Sequence, residues 1–332
     1  MQGKLKKMAI LLITASFRIY PSSQIKRVTK RRILYNPMEY RFMKDYIISP
    51  SERLCQKRPF IIIIVTSYVG NFELRNMFRR GMPREMLESM NTTRIFLLAE
   101  IPPGEKNITQ NWIEEENENF HDILQGAFTE SYRNLTIKHL MGLQWVTTKC
   151  PNASYILKVD DDTVFRFEKL LNILTKNAIT DDFLMGYVLK HAQPRRDNTS
   201  KWYVSLEEYP KKKYPTYVSG WYYVTTPTVA AKLLNEAMYH PYFWVDDVLV
   251  TGILIGALNI RIIEMPDEFW LEYRLNVMIH TNKDIWNIEA YNHFFAIDNL
   301  AETSWLAQQT KTKTAKSGKQ FVYKRKVLKM FL

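Results

Sequence analysis

Tyr155-Ile156-Leu157-Lys158-Val159-Asp160-Asp161-Asp162-Thr163-Val164-Phe165 is an apolar run that ends abruptly in three consecutive carboxylates and then turns apolar again. Strand interiors disfavour Asp, so 155–159 reads as a buried strand and the acids mark where it leaves its sheet. Ligands of open α/β sheets bind at such strand ends. Three like charges this close raise one another's pKa unless a cation neutralises them. A hard divalent ion, Mn²⁺ or Mg²⁺, takes carboxylate oxygens and commonly keeps a phosphate as well, so the triplet points to a site for metal and diphosphate. A solvated acidic turn capping the next helix is the alternative, and the triplet alone does not separate the two.

Outward from this stretch the chain alternates between strand and helix patterns. Residues 60–66 (Phe-Ile-Ile-Ile-Ile-Val-Thr) form a continuous β-branched run, as expected of a strand covered on both faces. Residues 71–80 read as the helix after it, and 94–99 as a second buried strand closed by Pro102-Pro103-Gly104. Apolar residues at Leu135, Leu140, Leu143 and Val146 place a helix over 132–146, just ahead of the triplet strand. The stretch 181–225, rich in aromatic and turn residues, reads as irregular strands and loops over the site. Helices follow over 228–238 and from Asp246 toward Asn259. This alternation predicts an α/β fold with a mainly parallel central sheet flanked by helices. No internal repeat is present.

The formal net charge of +12 suggests nucleic acid or an anionic membrane until its distribution is counted. Residues 1–58 hold 14 Lys/Arg against 3 Asp/Glu and 311–332 hold eight against none, leaving 59–310 with 24 basic and 31 acidic residues. The basicity belongs to the ends. A nucleic-acid enzyme would carry it on the folded core beside exposed aromatics, so no nucleic-acid partner is expected, although basic ends can hold nucleic acid by themselves. Lys4, Lys6 and Lys7 precede a ten-residue apolar run, 8–17, ended by Arg18. A conventional span needs about 20 residues, so this suits the h-region of a signal peptide or a short signal anchor, and a disordered or amphipathic leader stays open. Five Asn-x-Ser/Thr sequons, at Asn91, Asn107, Asn134, Asn152 and Asn198, lean toward the secretory route. The two cysteines, Cys55 and Cys150, are compatible with a bridge or with two thiols. The organisation expected is a hydrophobic segment over 1–20, a basic stem over 21–58, a catalytic domain over 59–310 and a basic flexible tail over 311–332.

A second acidic pair, Asp246-Asp247-Val248, follows Tyr242-Phe243-Trp244-Val245 and opens a helix, where negative charge is favoured and where capping alone would explain one Asp. Taken in order, Asn134-Leu135-Thr136-Ile137-Lys138, Trp145, Cys150, Lys158 with the triplet, Tyr214-Pro215-Thr216-Tyr217-Val218-Ser219-Gly220 and Asp246-Asp247-Val248 resemble the β-1,3-galactosyltransferase family. That family also holds β-1,3-N-acetylglucosaminyltransferases and the fringe proteins, and the resemblance covers roughly residues 60–265. It implies a GT-A type nucleotide-sugar-binding fold, a UDP-sugar donor, a glycan acceptor on glycoprotein or glycolipid, a divalent metal held through the triplet, and inversion at the anomeric carbon. It also implies a single-pass type II protein of the Golgi membrane, luminal from about residue 50 onward.

Carried over residue by residue, the resemblance makes Asp162 the leading metal ligand, with Asp160 and Asp161 reaching the ribose or metal-bound water and Lys158 steadying the acids. Asp247 becomes the general base, facing Asp162 across the donor. Asp246 stands where the family has Glu, one methylene shorter. His280, ahead of His293, is the candidate for a further metal ligand. Lys201, Trp202, Tyr214, Tyr217, Ser219 and Gly220 line the donor and acceptor cleft, where Trp202 stacks on a sugar or packs under a loop. Arg75 and Arg79 match two arginines at the nucleotide end, where a guanidinium pairs with phosphate or with a structural carboxylate. The chain departs from the pattern at Arg80-Gly81, at Trp221-Tyr222 in place of small residues, and at Gly252-Ile253-Leu254, which lacks the cysteine that usually bridges to Cys150. These departures keep open a catalytically silent, glycan-binding member of the family.

Overall fold

The computed structural model describes residues 46–163, 165, 167–176 and 182–265. The apolar run 8–17, His280 and the basic tail lie outside the described residues. Eight strands, β1 (Tyr46–Ile48), β2 (Ile61–Thr66), β3 (Thr92–Glu100), β4 (Ile123–Thr129), β5 (Tyr155–Asp160), β6 (Phe183–Leu189), β7 (Tyr217–Thr225) and β8 (Arg261–Glu264), form one sheet ordered β1-β4-β3-β2-β5-β7-β6-β8. Strands β4, β3, β2 and β5 run parallel, and β8 runs parallel to β6. Two strands reverse direction: β1 at the edge against β4, and β7 between β5 and β6. The sheet is the mainly parallel one that the alternation of patterns predicts.

Alternation of side chains across the sheet explains why β2 is apolar from Ile61 to Val65. Ile62 and Ile64 enter a core shared with helix α4 (Leu135–Lys149), helix α6 (Pro227–Ala237) and the π-helix Val248–Leu254. Ile61, Ile63 and Val65 enter the opposite core, beneath α1 (Phe72–Gly81), α2 (Arg84–Ser89) and α5 (Phe167–Lys176). With both faces covered, Ile61–Val65 are all buried and the one polar residue, Thr66, stands at the partly exposed end of the strand. Helix α4 is itself enclosed between the sheet and α6, so ten of its residues are buried, including Trp145. Helix α3 (Gln110–Phe120) adds Ile113 to a smaller cluster with Leu98 and Ile123.

The stretch 181–225 resolves into two strands, 183–189 and 217–225, paired with each other with a shift of register between Gly186 and Val188, and the irregular loop 190–216 between them. Other elements depart from the sequence reading. The helix expected from Asp246 is π-helical over Val248–Leu254 before continuing as α-helix through Ile255–Ala257. Strand β4 and helix α3 carry no clear periodic signal and emerge only in the fold. Cys55 and Cys150 are joined by a disulfide, with Cα atoms 5.2 Å apart, which ties the short helix Glu52–Cys55 to the end of α4. Among the described residues no helix is long and apolar enough to cross a membrane.

Candidate active site

Strand β5 ends at Asp160, and the acids occupy the turn beyond it. The Lys158 side chain is buried beneath them and donates to Asp160 Oδ1 at 2.5 Å and to the carbonyl of Gly220 on β7. Burial by itself would lower this ammonium's pKa; Asp160, Asp246 and Asp247 overcome that and hold it above its ordinary value. Burial lifts Asp160 to about 6, against the opposing pull of Lys158.

Asp161 does not join the open side of the triplet. Its backbone N–H donates to Thr66 O, and its Oδ2 accepts from Ser67 Oγ at 2.7 Å and Asn71 Nδ2 at 3.1 Å. Only 7% exposed, it braces the β2–α1 turn, in contrast to the expectation that it reaches ribose or metal-bound water. Burial and then the Asp162 charge lift it to about 7, in spite of those two hydrogen bonds. Asp160 and Asp162, both half-buried, are the acids left at the cleft.

The second acidic pair approaches the same place from β7. Asp247 caps the π-helix, its Oδ1 accepting from Val248 N at 2.8 Å and its Oδ2 from Gly220 N at 3.4 Å. Gly220 therefore touches both halves of the site: its carbonyl accepts from Lys158 and its N–H donates to Asp247. Thr251, one turn along, accepts from Val218 N and donates to Val218 O, fixing the π-helix against β7. Burial and the adjacent Asp246 charge lift Asp247 to about 7. Asp246 moves the other way: burial pushes it up, but the hydrogen bond with His139 and the Lys158 charge hold it below the usual carboxylate range. Two neighbouring carboxylates with divergent proton affinities are the arrangement by which a site separates a base from a permanent anion.

Four aromatic residues and one lysine border the carboxylates. Trp202, in the 190–216 loop, stacks on Trp244 (centroids 6.4 Å, planes 12° apart) and meets Tyr132 edge-on at 5.1 Å, while 39% of it stays exposed. It both packs under its loop and offers a surface. Lys201 Nζ lies 5.5 Å from the ring centres of Tyr132 and Trp202; burial lowers its pKa and the Asp162 charge partly restores it. Burial raises the Tyr132 phenol, and Asp160, Asp246, Asp162 and Asp247 raise it further, so one phenol feels the triplet and the second pair together. Tyr217 is raised by burial and then by Asp247. The loop is held by Arg196, whose guanidinium donates to the carbonyls of Val204, Ser205, Tyr209 and Lys211 at 2.6–3.1 Å.

Arg75 and Arg79 are occupied elsewhere. All five N–H groups of Arg75 have acceptors: both Glu116 oxygens, Ser67 Oγ and the carbonyls of Tyr68 and Val69. Arg79 pairs with Asp122 and Glu116, donates to Asn76, and lies 4.0 Å above the Phe120 ring. Of the two roles open to these arginines, the structure has them pairing with structural carboxylates. Arg75 still bears on the site at one remove, through Ser67 to Asp161.

The structure thus brings Lys158, Asp160, Asp162, Lys201, Trp202, Tyr217, Gly220, Asp246 and Asp247 to one cleft and takes Asp161, Arg75 and Arg79 into its supporting wall. Tyr132, His139, Tyr223, Ser67 and Asn71 are missing from the sequence reading. His139, flanked by the apolar positions Leu135, Leu140 and Leu143 of a helical pattern, carries the one signal that could have pointed to it.

Residues 73–266 match the sequence profile of the galactosyltransferase family. Beta-1,3-galactosyltransferase 2 of Homo sapiens is 35% identical over 237 residues, 70% of this chain and 55% of that protein. Its Mus musculus counterpart is 33% identical over the same length. Beta-1,3-galactosyltransferase 5 of Pan paniscus is 30% identical over 237 residues, 71% of this chain and 78% of that protein. The chain spans about half the length of the galactosyltransferase 2 proteins it matches.

Proposed function

This chain belongs to the galactosyltransferase family, and on that premise we propose that it is an inverting hexosyltransferase, moving galactose or N-acetylglucosamine from a UDP-sugar to a glycan hydroxyl in β-1,3 linkage. The observation that carries the reading is the link through Gly220, which ties Lys158 and the triplet to Asp247 in one cleft.

Asp247 accepts the proton of the acceptor hydroxyl as that oxygen bonds to the anomeric carbon, and the bond from that carbon to the phosphate oxygen breaks to release UDP. An elevated proton affinity on Asp247 suits this step, because a base near neutral pH both stays free and pulls effectively. Asp162, with Asp160 beside it and His280 as a further candidate, would hold Mn²⁺ or Mg²⁺. The fit rests on chemistry: half-buried carboxylates, one of them lifted by burial, are relieved by a hard cation. Among the described residues no three His, Cys, Asp or Glu side chains converge as a cage, so phosphate and water oxygens would complete the shell. When bound, the cation supplies charge that neutralises the departing diphosphate. Trp202 and Tyr132 offer ring faces to a sugar, and Lys201 adds positive charge beside Asp162.

The disulfide between Cys55 and Cys150 supports an oxidising compartment, consistent with a luminal domain carried on the Golgi membrane. The test is release of UDP and formation of glycoside from UDP-galactose or UDP-N-acetylglucosamine, with a panel of acceptor glycans and Mn²⁺. Asp162→Asn abolishes metal-dependent turnover, and Asp247→Asn abolishes transfer while sparing UDP binding. Substantial residual transfer in either variant refutes its role; glycan binding by the wild type without turnover of any donor selects the silent, glycan-binding reading instead.

A further inference from the structure

His139 is fully enclosed in α4, and both of its ring nitrogens are engaged. Nδ1 lies 2.9 Å from Asp246 Oδ2, and Nε2 lies 2.5 Å from the hydroxyl of Tyr223 on β7. Burial lowers the imidazole's pKa more than Asp246 restores it, which favours the neutral ring with a single proton. Its position follows from the partners. Tyr223 is buried and its phenol is held well above its ordinary pKa, so its O–H is a donor and Nε2 must accept. The proton then sits on Nδ1 and is donated to Asp246. The opposite tautomer would set a nitrogen lone pair against a carboxylate oxygen at 2.9 Å.

Asp246 is one residue from Asp247, and the two share a wall with Gly220: a Cβ there would stand 3.0 Å from Asp247 Cβ and 3.7 Å from Asp246 Oδ2. The Asp246 carboxylate and the Asp247 side chain are therefore packed side by side against the same glycine. The shorter Asp found here in place of the family's Glu is met from behind by an imidazole that spans the remaining distance to Tyr223.

We infer that His139 is a positioning residue for transfer: as a neutral Nδ1–H tautomer anchored on Tyr223, it fixes the Asp246 carboxylate and through it the orientation of Asp247. The inference rests on the reading of Asp247 as the base. The charged and titratable groups facing Asp247 are Asp246 beside it, Lys158 on β5, Tyr132 ahead of α4, Tyr214 near the end of the 190–216 loop and Tyr217 at the start of β7. His139 reaches it only through Asp246.

Ring nitrogen NMR of the ¹⁵N-histidine-labelled protein, with the His139 signals assigned by their loss in His139→Phe, reads the tautomer directly. The expected result is a neutral ring, protonated on Nδ1, at neutral pH. A proton on Nε2, or on both nitrogens, at that pH overturns the inference whether or not turnover is detected. Kinetics supply the second readout. His139→Phe lowers kcat about 100-fold, the scale of a misplacement of about 1 Å, with the KM for UDP-sugar unchanged. His139→Asn combined with Tyr223→Phe restores the donor to Asp246 without orphaning the phenol, and recovers most of kcat. A folded His139→Phe with wild-type kcat, or a double variant no better than His139→Phe at equal thermal stability, refutes positioning. Full transfer by Asp247→Asn would instead remove the base on which the inference rests, leaving the tautomer measurement to stand on its own.

Discussion

A side chain at Gly220 would press on Asp247 Cβ at 3.0 Å, closer than ordinary van der Waals contact allows. Gly220→Ala is expected to displace Asp247 without opening the core, so kcat falls about 10- to 100-fold while the thermal midpoint moves little, which kinetics and calorimetry together check. The pH dependence follows from Asp247 at about 7. Below that value the base is protonated, so kcat/KM rises tenfold per pH unit on the acid side and levels off above about 7. The Asp246 charge is, after burial, what holds Asp247 up. Asp246→Asn removes that charge, so the acid limb of the profile moves to lower pH; an unmoved limb would assign it to another group. The acidic triplet and the acidic pair are both legible in the sequence because carboxylates stand out against apolar neighbours. Tyr132, Tyr223 and Asn71 are not, since their meaning lies in contacts with residues distant along the chain.

At the level of elements, the loop 190–216 depends on one guanidinium. A lysine at position 196 presents its donors from a single point and does not span carbonyls from Val204 to Lys211. Loss of about 1.4 kcal/mol of that network corresponds to a tenfold rise in acceptor KM for Arg196→Lys, with donor KM unchanged. The disulfide closes a loop of 95 residues, so Cys150→Ser lowers unfolding free energy by about 4–5 kcal/mol in the chain-entropy account, measurable by denaturant titration under oxidising conditions. Sequence periodicity finds β2, β5 and α4 because each is apolar for a single reason, enclosure on both sides. It misses β4, where Gln125 and Gly126 interrupt the run, and α3, whose inward residues include Glu116. Glu116 is inside because Arg75 and Arg79 are there to meet it, a pairing no local pattern announces.

Across the whole molecule, Arg79 joins α1 to α3 and to Asp122 at the start of β4, and Arg94 reaches the same Asp122 from β3. Arg79→Ala leaves Asp122 with Arg94 alone and Glu116 with Arg75 alone in the interior, and is expected to cost up to about 3 kcal/mol of stability, while the folded fraction binds UDP as the wild type does. Weakened UDP binding at unchanged stability would return Arg79 to the nucleotide. The overall α/β organisation is readable from the order of apolar runs, but the reversal of β7 is not, since strand direction leaves no mark on composition. That reversal has a geometric result. Gly220 and Asp247 are set against the triplet by the ladder in which Lys158 faces Tyr223 and Val159 faces Tyr222. Side chains move continuously; a ladder does not. Sliding β7 along β5 without turning its faces over takes a step of two residues, roughly 6.8 Å. The gap between the triplet and the acidic pair is therefore quantised, like the spacing of teeth on a rack: it is tuned by exchanging side chains that stand on the seam and never by adjusting the seam itself.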